Sequence, residues 1–177
     1  MKKINDKYPG RFVYTSIEKQ KIEFKKEYQI DFSWNTKKID LSDFKSGNKM
    51  LKKLILIITY NPKNIIKDLS LRNNDIIDPS MLSIVNFDHL EKLDLANNII
   101  DLKFLLEMKA KNLKYLFLDR NKITDFNSLF PDNFPKIEVL SLNDNNFVHN
   151  DIIKNPNRYI ELKNKKKENG KKLVIQF

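Results

Sequence analysis

The chain has no cysteine among its 177 residues. That excludes disulfides, zinc–thiolate sites and thiol catalysis, and it fits a reducing compartment. Glycine is scarce, at 3 residues, too few to build a glycine-rich phosphate loop. Long apolar runs are missing as well. The longest, residues 54–58, is far too short to span a bilayer, and the polar start, residues 1–8, does not resemble a signal peptide. The two histidines, His89 and His149, stand apart in sequence, and the carboxylates lack metal-ligand spacing. No nucleophile and base pair suggests itself. The sequence therefore predicts a non-catalytic, cytoplasmic protein, with a nuclear location as the alternative. It predicts no catalytic, cofactor-binding or metal-binding residues, no small-molecule substrate and no membrane partner.

What is abundant is lysine, asparagine, isoleucine and phenylalanine, the residues of AT-rich codons. The raw lysine count is therefore less informative than its distribution. Residues 1–38 hold 10 Lys+Arg against 5 Asp+Glu, and residues 148–177 hold 8 against 3, so each segment is net +5. The 109 residues between them carry 15 charges of each sign, so the whole +10 sits on two flanks around a neutral middle.

The middle repeats. Four segments align without gaps on a pattern L-x-x-L-x-L-x-x-N-x-L. They begin at Ile66, Leu90, Leu113 and Ile137, and their asparagines, Asn74, Asn98, Asn121 and Asn145, fall 24, 23 and 24 residues apart. This is the leucine-rich-repeat pattern. The L-x-L pair alternates as a short strand with both apolar residues inward. The asparagine then bonds backbone groups in the following turn, and successive asparagines stack as a ladder. The rest of each repeat supplies a helical or irregular arc, for which residues 79–86 and 102–108 are candidates. One repeat cannot bury its own apolar face, so stacked neighbours and capped ends are required.

The expected fold is α/β, a leucine-rich-repeat solenoid with a parallel sheet on its concave face. Residues 1–35 read as a basic, aromatic-rich extension, 36–62 as a degenerate first repeat and cap, 63–147 as four repeats, and 148–177 as a C-terminal cap and basic tail. In residues 36–62, Ile39 and Leu41 keep the strand alternation without an asparagine. Residues 48–60 follow with a helical apolar pattern at Met50, Leu51, Leu54, Ile55 and Ile58. Residues 147–160 are the expected cover for the last repeat.

Residues 37–147 resemble the leucine-rich-repeat domain of the TAP-type nuclear RNA export factors. The resemblance rests on the opening Ile39-Asp40-Leu41 strand, the long helical insert at 48–60, and the arc containing Ser83-Ile84-Val85. It implies RNA or ribonucleoprotein binding without chemistry. The RNA-recognition, dimerisation and ubiquitin-associated-like domains of that family are not expected in these 177 residues.

Two kinds of binding residue are expected. Cations that can neutralise phosphates are Lys2, Lys3, Lys7, Arg11, Lys25 and Lys26 in the first flank. In the second they are Arg158, Lys163, Lys165, Lys166, Lys167, Lys171 and Lys172. Aromatics of the first flank, among them Phe24, Tyr28 and Phe32, could stack on bases or fill a protein groove. The repeat core is expected to fold without the flanks. The alternation also predicts outward columns across the repeats: Asp68, Lys92, Tyr115, Val139; Ser70, Asp94, Phe117, Ser141; and Arg72, Ala96, Asp119, Asn143. Of these, Lys92, Asp94, Tyr115, Phe117 and Asp119 are the candidate protein-binding residues, unless the two aromatics are covered by a flank. The expected partners are RNA, most concretely rRNA, and neighbouring proteins of a ribosome. An export or spliceosomal adaptor, and a protein adaptor without RNA contact, are the alternatives.

Overall fold

A computed structural model of the chain describes residues 9–33, 35–61, 63–101, 107–124, 134–146 and 173–176, with the side chains of residues 9–15 excepted. It is an α/β structure built on one open sheet of six parallel strands whose order along the sheet is their order in the chain. The strands are β1 (Lys38–Asp40), β2 (Asp68–Ser70), β3 (Lys92–Asp94), β4 (Tyr115–Phe117), β5 (Val139–Ser141) and β6 (Val174–Gln176). Their central residues, Ile39, Leu69, Leu93, Leu116, Leu140 and Ile175, pair in register across the whole sheet. These six point inward, and the residues on either side of each point to the other face. A row of carbonyls locks the strand starts together. Lys37, Lys67, Glu91 and Lys114 each accept two backbone N–H groups from the next strand, as Glu91 does from Lys114 (2.8 Å) and Tyr115 (3.0 Å).

The asparagines close each strand's turn by one geometry. Asn98 Nδ2 donates to the carbonyls of Leu71, Leu95 and Ala96, and its Oδ1 accepts the N–H groups of Asn74 (3.1 Å) and Ile76 (2.9 Å). Asn74, Asn121 and Asn145 make the corresponding bonds. The residue before each asparagine takes a left-handed backbone: Asn73 (φ 58°), Asn97 (56°), Arg120 (52°) and Asp144 (56°). Asn and Asp tolerate this region best, and three of the four positions use them. Asp43 (φ 68°) repeats the turn after β1, where Phe44 stands in the asparagine position and gives its N–H to Asn74 Oδ1 (3.2 Å).

Two α-helices and a short 3-10 helix complete the described structure. Helix α2 (Gly47–Thr59) joins β1 to β2 and buries Met50, Leu51, Leu54, Ile55, Ile57 and Ile58. It starts at Gly47, whose φ of +53° suits glycine and whose N–H reaches the Asn74 carbonyl at 2.7 Å. The 3-10 helix (Ser80–Ile84) joins β2 to β3, buries Leu82 and packs against α2. Asp78 Oδ1 accepts the Ser80 N–H at its start (2.9 Å).

Helix α1 (Pro9–Tyr28) is where structure and sequence reading part. The first flank is not an appendage over this span. Proline opens the helix, where its missing N–H costs nothing, and Ile17, Phe24 and Tyr28 fall on one face and are buried. Phe24 and Tyr28 lie 4.6 Å apart by ring centres, Phe32 meets Phe24 edge-on at 6.3 Å, and Phe44 meets Tyr28 at 5.3 Å. Glu27 pairs with Lys49 (3.2 Å) and Lys53 of α2. Phe24, Tyr28 and Phe32 are thus core residues, closed to base stacking, and a core stripped of residues 1–35 loses one side of its packing. The second flank also enters the sheet, since Leu173 is buried and β6 pairs with β5. The expected cover at residues 147–160 lies outside the described residues, as do residues 102–106 of one expected arc.

Candidate functional site

The outer face of the sheet carries the first two predicted columns, and the strand register lengthens both by one position at either end. The first column reads Lys38, Asp68, Lys92, Tyr115, Val139 and Val174. The second reads Asp40, Ser70, Asp94, Phe117, Ser141 and Gln176. The face is divided by chemistry. Over β1 to β3 it is charged, and over β4 to β6 it holds Tyr115, Phe117, Val139 and Val174 without a formal charge in either column. Val174 and Gln176 were not placed on this face from sequence, because the β6 segment lacks the first leucine of the repeat pattern.

The five candidate protein-binding residues come together on β3, β4 and the turn after β4. Lys92 pairs in register with Tyr115, and Asp94 with Phe117. The Lys92 ammonium stands 5.7 Å from the Phe117 ring centre, within cation–π reach. Tyr115 Oη shares a 3.4 Å contact with Glu138 Oε2. Asp119 Oδ1 accepts from Ser141 Oγ (2.6 Å) and from the Asn143 N–H (2.8 Å), which fixes the turn beside the aromatics. Tyr115 and Phe117 are half-buried.

Electrostatics sharpen the charged half. Burial pushes the Asp94 carboxyl above its ordinary value, and Asp119 adds to the push, while the Ala96 N–H, Arg72 and Lys92 oppose it. Asp94 accepts that N–H at 3.0 Å and makes no salt bridge among the described residues. Asp68 keeps one oxygen, Oδ1, buried without a partner, while Oδ2 lies 3.8 Å from Lys38. Just before the strands runs a bridge of alternating charge. Lys114 (2.7 Å) and Lys67 (2.8 Å) hold the Glu91 carboxyl down to about 2.

The cationic candidates are not brought together by the described structure. Lys25 pairs with Asp31 at 2.7 Å, and Lys26 is exposed in the last turn of α1. Arg11 lies within α1, its side chain outside the described set. Lys2, Lys3, Lys7, Arg158, Lys163, Lys165, Lys166, Lys167, Lys171 and Lys172 all lie outside the described residues.

Among the described residues no group of three His, Asp or Glu side chains could hold a metal ion, and no helix is long and apolar enough to cross a membrane. His89 is exposed beside the start of β3. The face therefore offers aromatic surface beside charged side chains. No protein-family model matches the chain, and no curated protein matches it.

Proposed function

We propose that the chain is a leucine-rich-repeat solenoid that serves as a non-catalytic component of a ribonucleoprotein, most concretely a ribosome. Its sheet face would dock a neighbouring protein while its basic segments contact RNA. The single observation that carries the reading is the charge partition: a neutral repeat region bracketed by two segments of net +5 each. Phosphate contacts supply sequence-independent affinity, and cations concentrated at two ends suit a protein that clamps between RNA and a neighbour. The repeat reading is supported by the asparagine spacing of 24, 23 and 24 residues and by the ladder those side chains form. The resemblance of residues 37–147 to the TAP-type export factors points to the same class of partner.

Sedimentation of a cell lysate through sucrose, with and without RNase, tests this. Co-migration with ribosomal subunits that is lost on RNase treatment is expected. Migration at the top of the gradient in low salt overturns it. A second reading is favoured by one specific observation, the Tyr115–Phe117 patch with Lys92 over it: a protein adaptor with no RNA contact. RNase-resistant co-purification of one protein partner, abolished by Phe117→Ala, selects that reading.

A further inference from the structure

The two ends of the sheet differ. At β1 the outer face carries Lys38 and Asp40, both exposed, and the inward residue Ile39 is 1% exposed. At β6 the strand Val174-Ile175-Gln176 has no formal charge, and Val174 is 49% exposed. Charges on an edge strand discourage pairing with another chain, and of these two edges only the first has them. Cover for the apolar layer also runs out toward β6. Ile39, Leu69, Leu93 and Leu116 are 1% exposed or less, whereas Leu140 and Ile175 are only partly buried. Stacked repeats need something over their last layer.

Register decides which backbone groups face outward at β6. The Glu138 carbonyl accepts the Val174 N–H (3.0 Å), and the Gln176 carbonyl accepts the Leu142 N–H (2.8 Å). Residues 174 and 176 therefore turn their backbone groups toward β5. Ile175, between them, turns its N–H and C=O the other way, to the open side of the strand. Neither group has a partner among the described residues. One donor and one acceptor at the centre of a three-residue strand complement themselves. When two such strands run antiparallel, their central residues exchange both N–H···O bonds.

We propose that β6 is a self-association edge, through which two copies of this chain join strand to strand, antiparallel, about a twofold axis perpendicular to the sheet. Both sheets then continue as one, with their inner faces on the same side. Val174 falls opposite Gln176 of the second copy on the outer face. On the inner face, Leu140 and Ile175 of the two copies form one apolar layer across the joint. Lys171 and Lys172 precede β6 in sequence, so antiparallel pairing sends the two copies' lysines to opposite ends of the joint. A parallel β6 pair would stack them against each other. Joining β6 to β1 of the next copy would set an uncharged edge beside Lys38 and Asp40. A strand of another protein would have to match the three positions, whereas a second copy matches them by symmetry. The proposal is independent of what the basic segments bind.

The test uses the full chain, treated with RNase and freed of nucleic acid. Sedimentation equilibrium across a range of concentration gives the assembly state, and hydrogen exchange resolved by residue locates the contact. The Ile175 amide is the reporter, since nothing among the described residues bonds it. The expected result is a reversible dimer and nothing larger. Each copy carries net +10, so added salt strengthens the dimer by screening the repulsion between copies. Exchange at Ile175 slows about tenfold or more as the dimer forms, while exchange at Ile39 in β1 is unchanged. Val174→Lys puts a cation at an exposed position of the edge and weakens the dimer about tenfold, with the melting temperature of the dilute monomer unchanged. If that variant does not fold, the Ile175 amide of the wild-type chain decides alone. A monomer at every concentration overturns the proposal. A dimer that leaves Ile175 exchange unmoved overturns it by placing the contact elsewhere. Assembly that grows past two copies overturns it in favour of head-to-tail stacking.

Discussion

Asp94 stands on the outer face of β3, where burial raises its carboxyl above the ordinary value of 3.8. The sign of its effect on stability follows from that direction. A carboxyl whose folded value is raised binds its proton more tightly in the folded state, so stability rises as pH falls through the raised value. The cost is complete above it and gone below 3.8. Asn keeps an oxygen for the Ala96 N–H and removes the charge. Asp94→Asn is therefore expected to raise Tm at neutral pH by a few degrees or less, on the order of 1–3 °C, with the gain vanishing in acid. A melt series across pH checks it, and a lowered neutral Tm would contradict the assignment.

At the scale of elements, α1 shows how far the sequence could be read. Its buried residues Ile17, Phe24 and Tyr28 do obey helical spacing, but the intervening lysines and glutamates make the segment look like a solvated flank. The strands β2 to β5 were legible because each leucine pattern ends in an asparagine whose bonding follows from its chemistry. β6 was not legible, since Lys172 occupies the place of the first repeat leucine. Of the candidate face, Lys92, Asp94, Tyr115 and Phe117 could be placed from alternation alone, whereas Val174 depended on β6. The packing of α1 predicts a contrast between two substitutions in one helix. Phe24→Ala removes a fully buried ring and is expected to cost about 3–5 kcal/mol. Glu27→Gln breaks the pairs with Lys49 and Lys53. Although Lys53 and Lys49 hold Glu27 down to about 2, its side chain is 35% exposed and water screens the gain. Its loss is expected to cost less than about 1 kcal/mol, and only above the ordinary carboxyl range, since a depressed value stabilises there and fades as pH falls toward 2. Urea denaturation of both variants at neutral pH decides this; equal costs would mean that α1 is held by charge and not by its core face.

At the scale of the molecule, stability is arranged in one dimension. Each strand pairs only with the strands before and after it, so cohesion depends on what crosses each junction. At the junction of β2 and β3 the crossing groups include Asn98, which makes three bonds to the preceding unit (to Leu71, Asn74 and Ile76) and two to its own (Leu95 and Ala96). Asn98→Ala orphans the Leu71 carbonyl and the Asn74 and Ile76 N–H groups, while the Leu95 and Ala96 carbonyls keep Asn121 Nδ2 and the Asn73 N–H, and the three unsatisfied buried groups together are expected to cost about 2–4 kcal/mol. Its spatial signature matters more than its size. If the stack folds as coupled neighbours, amide protection falls on both sides of the cut, in β2 and β3, and the loss spreads to β1 and β4 in diminishing degree. If the asparagine serves only its own turn, protection falls at residues 95–98 alone. Hydrogen exchange resolved by residue separates the two. A loss confined to one turn would mean that the sheet, rather than the ladder, carries the coupling along the molecule.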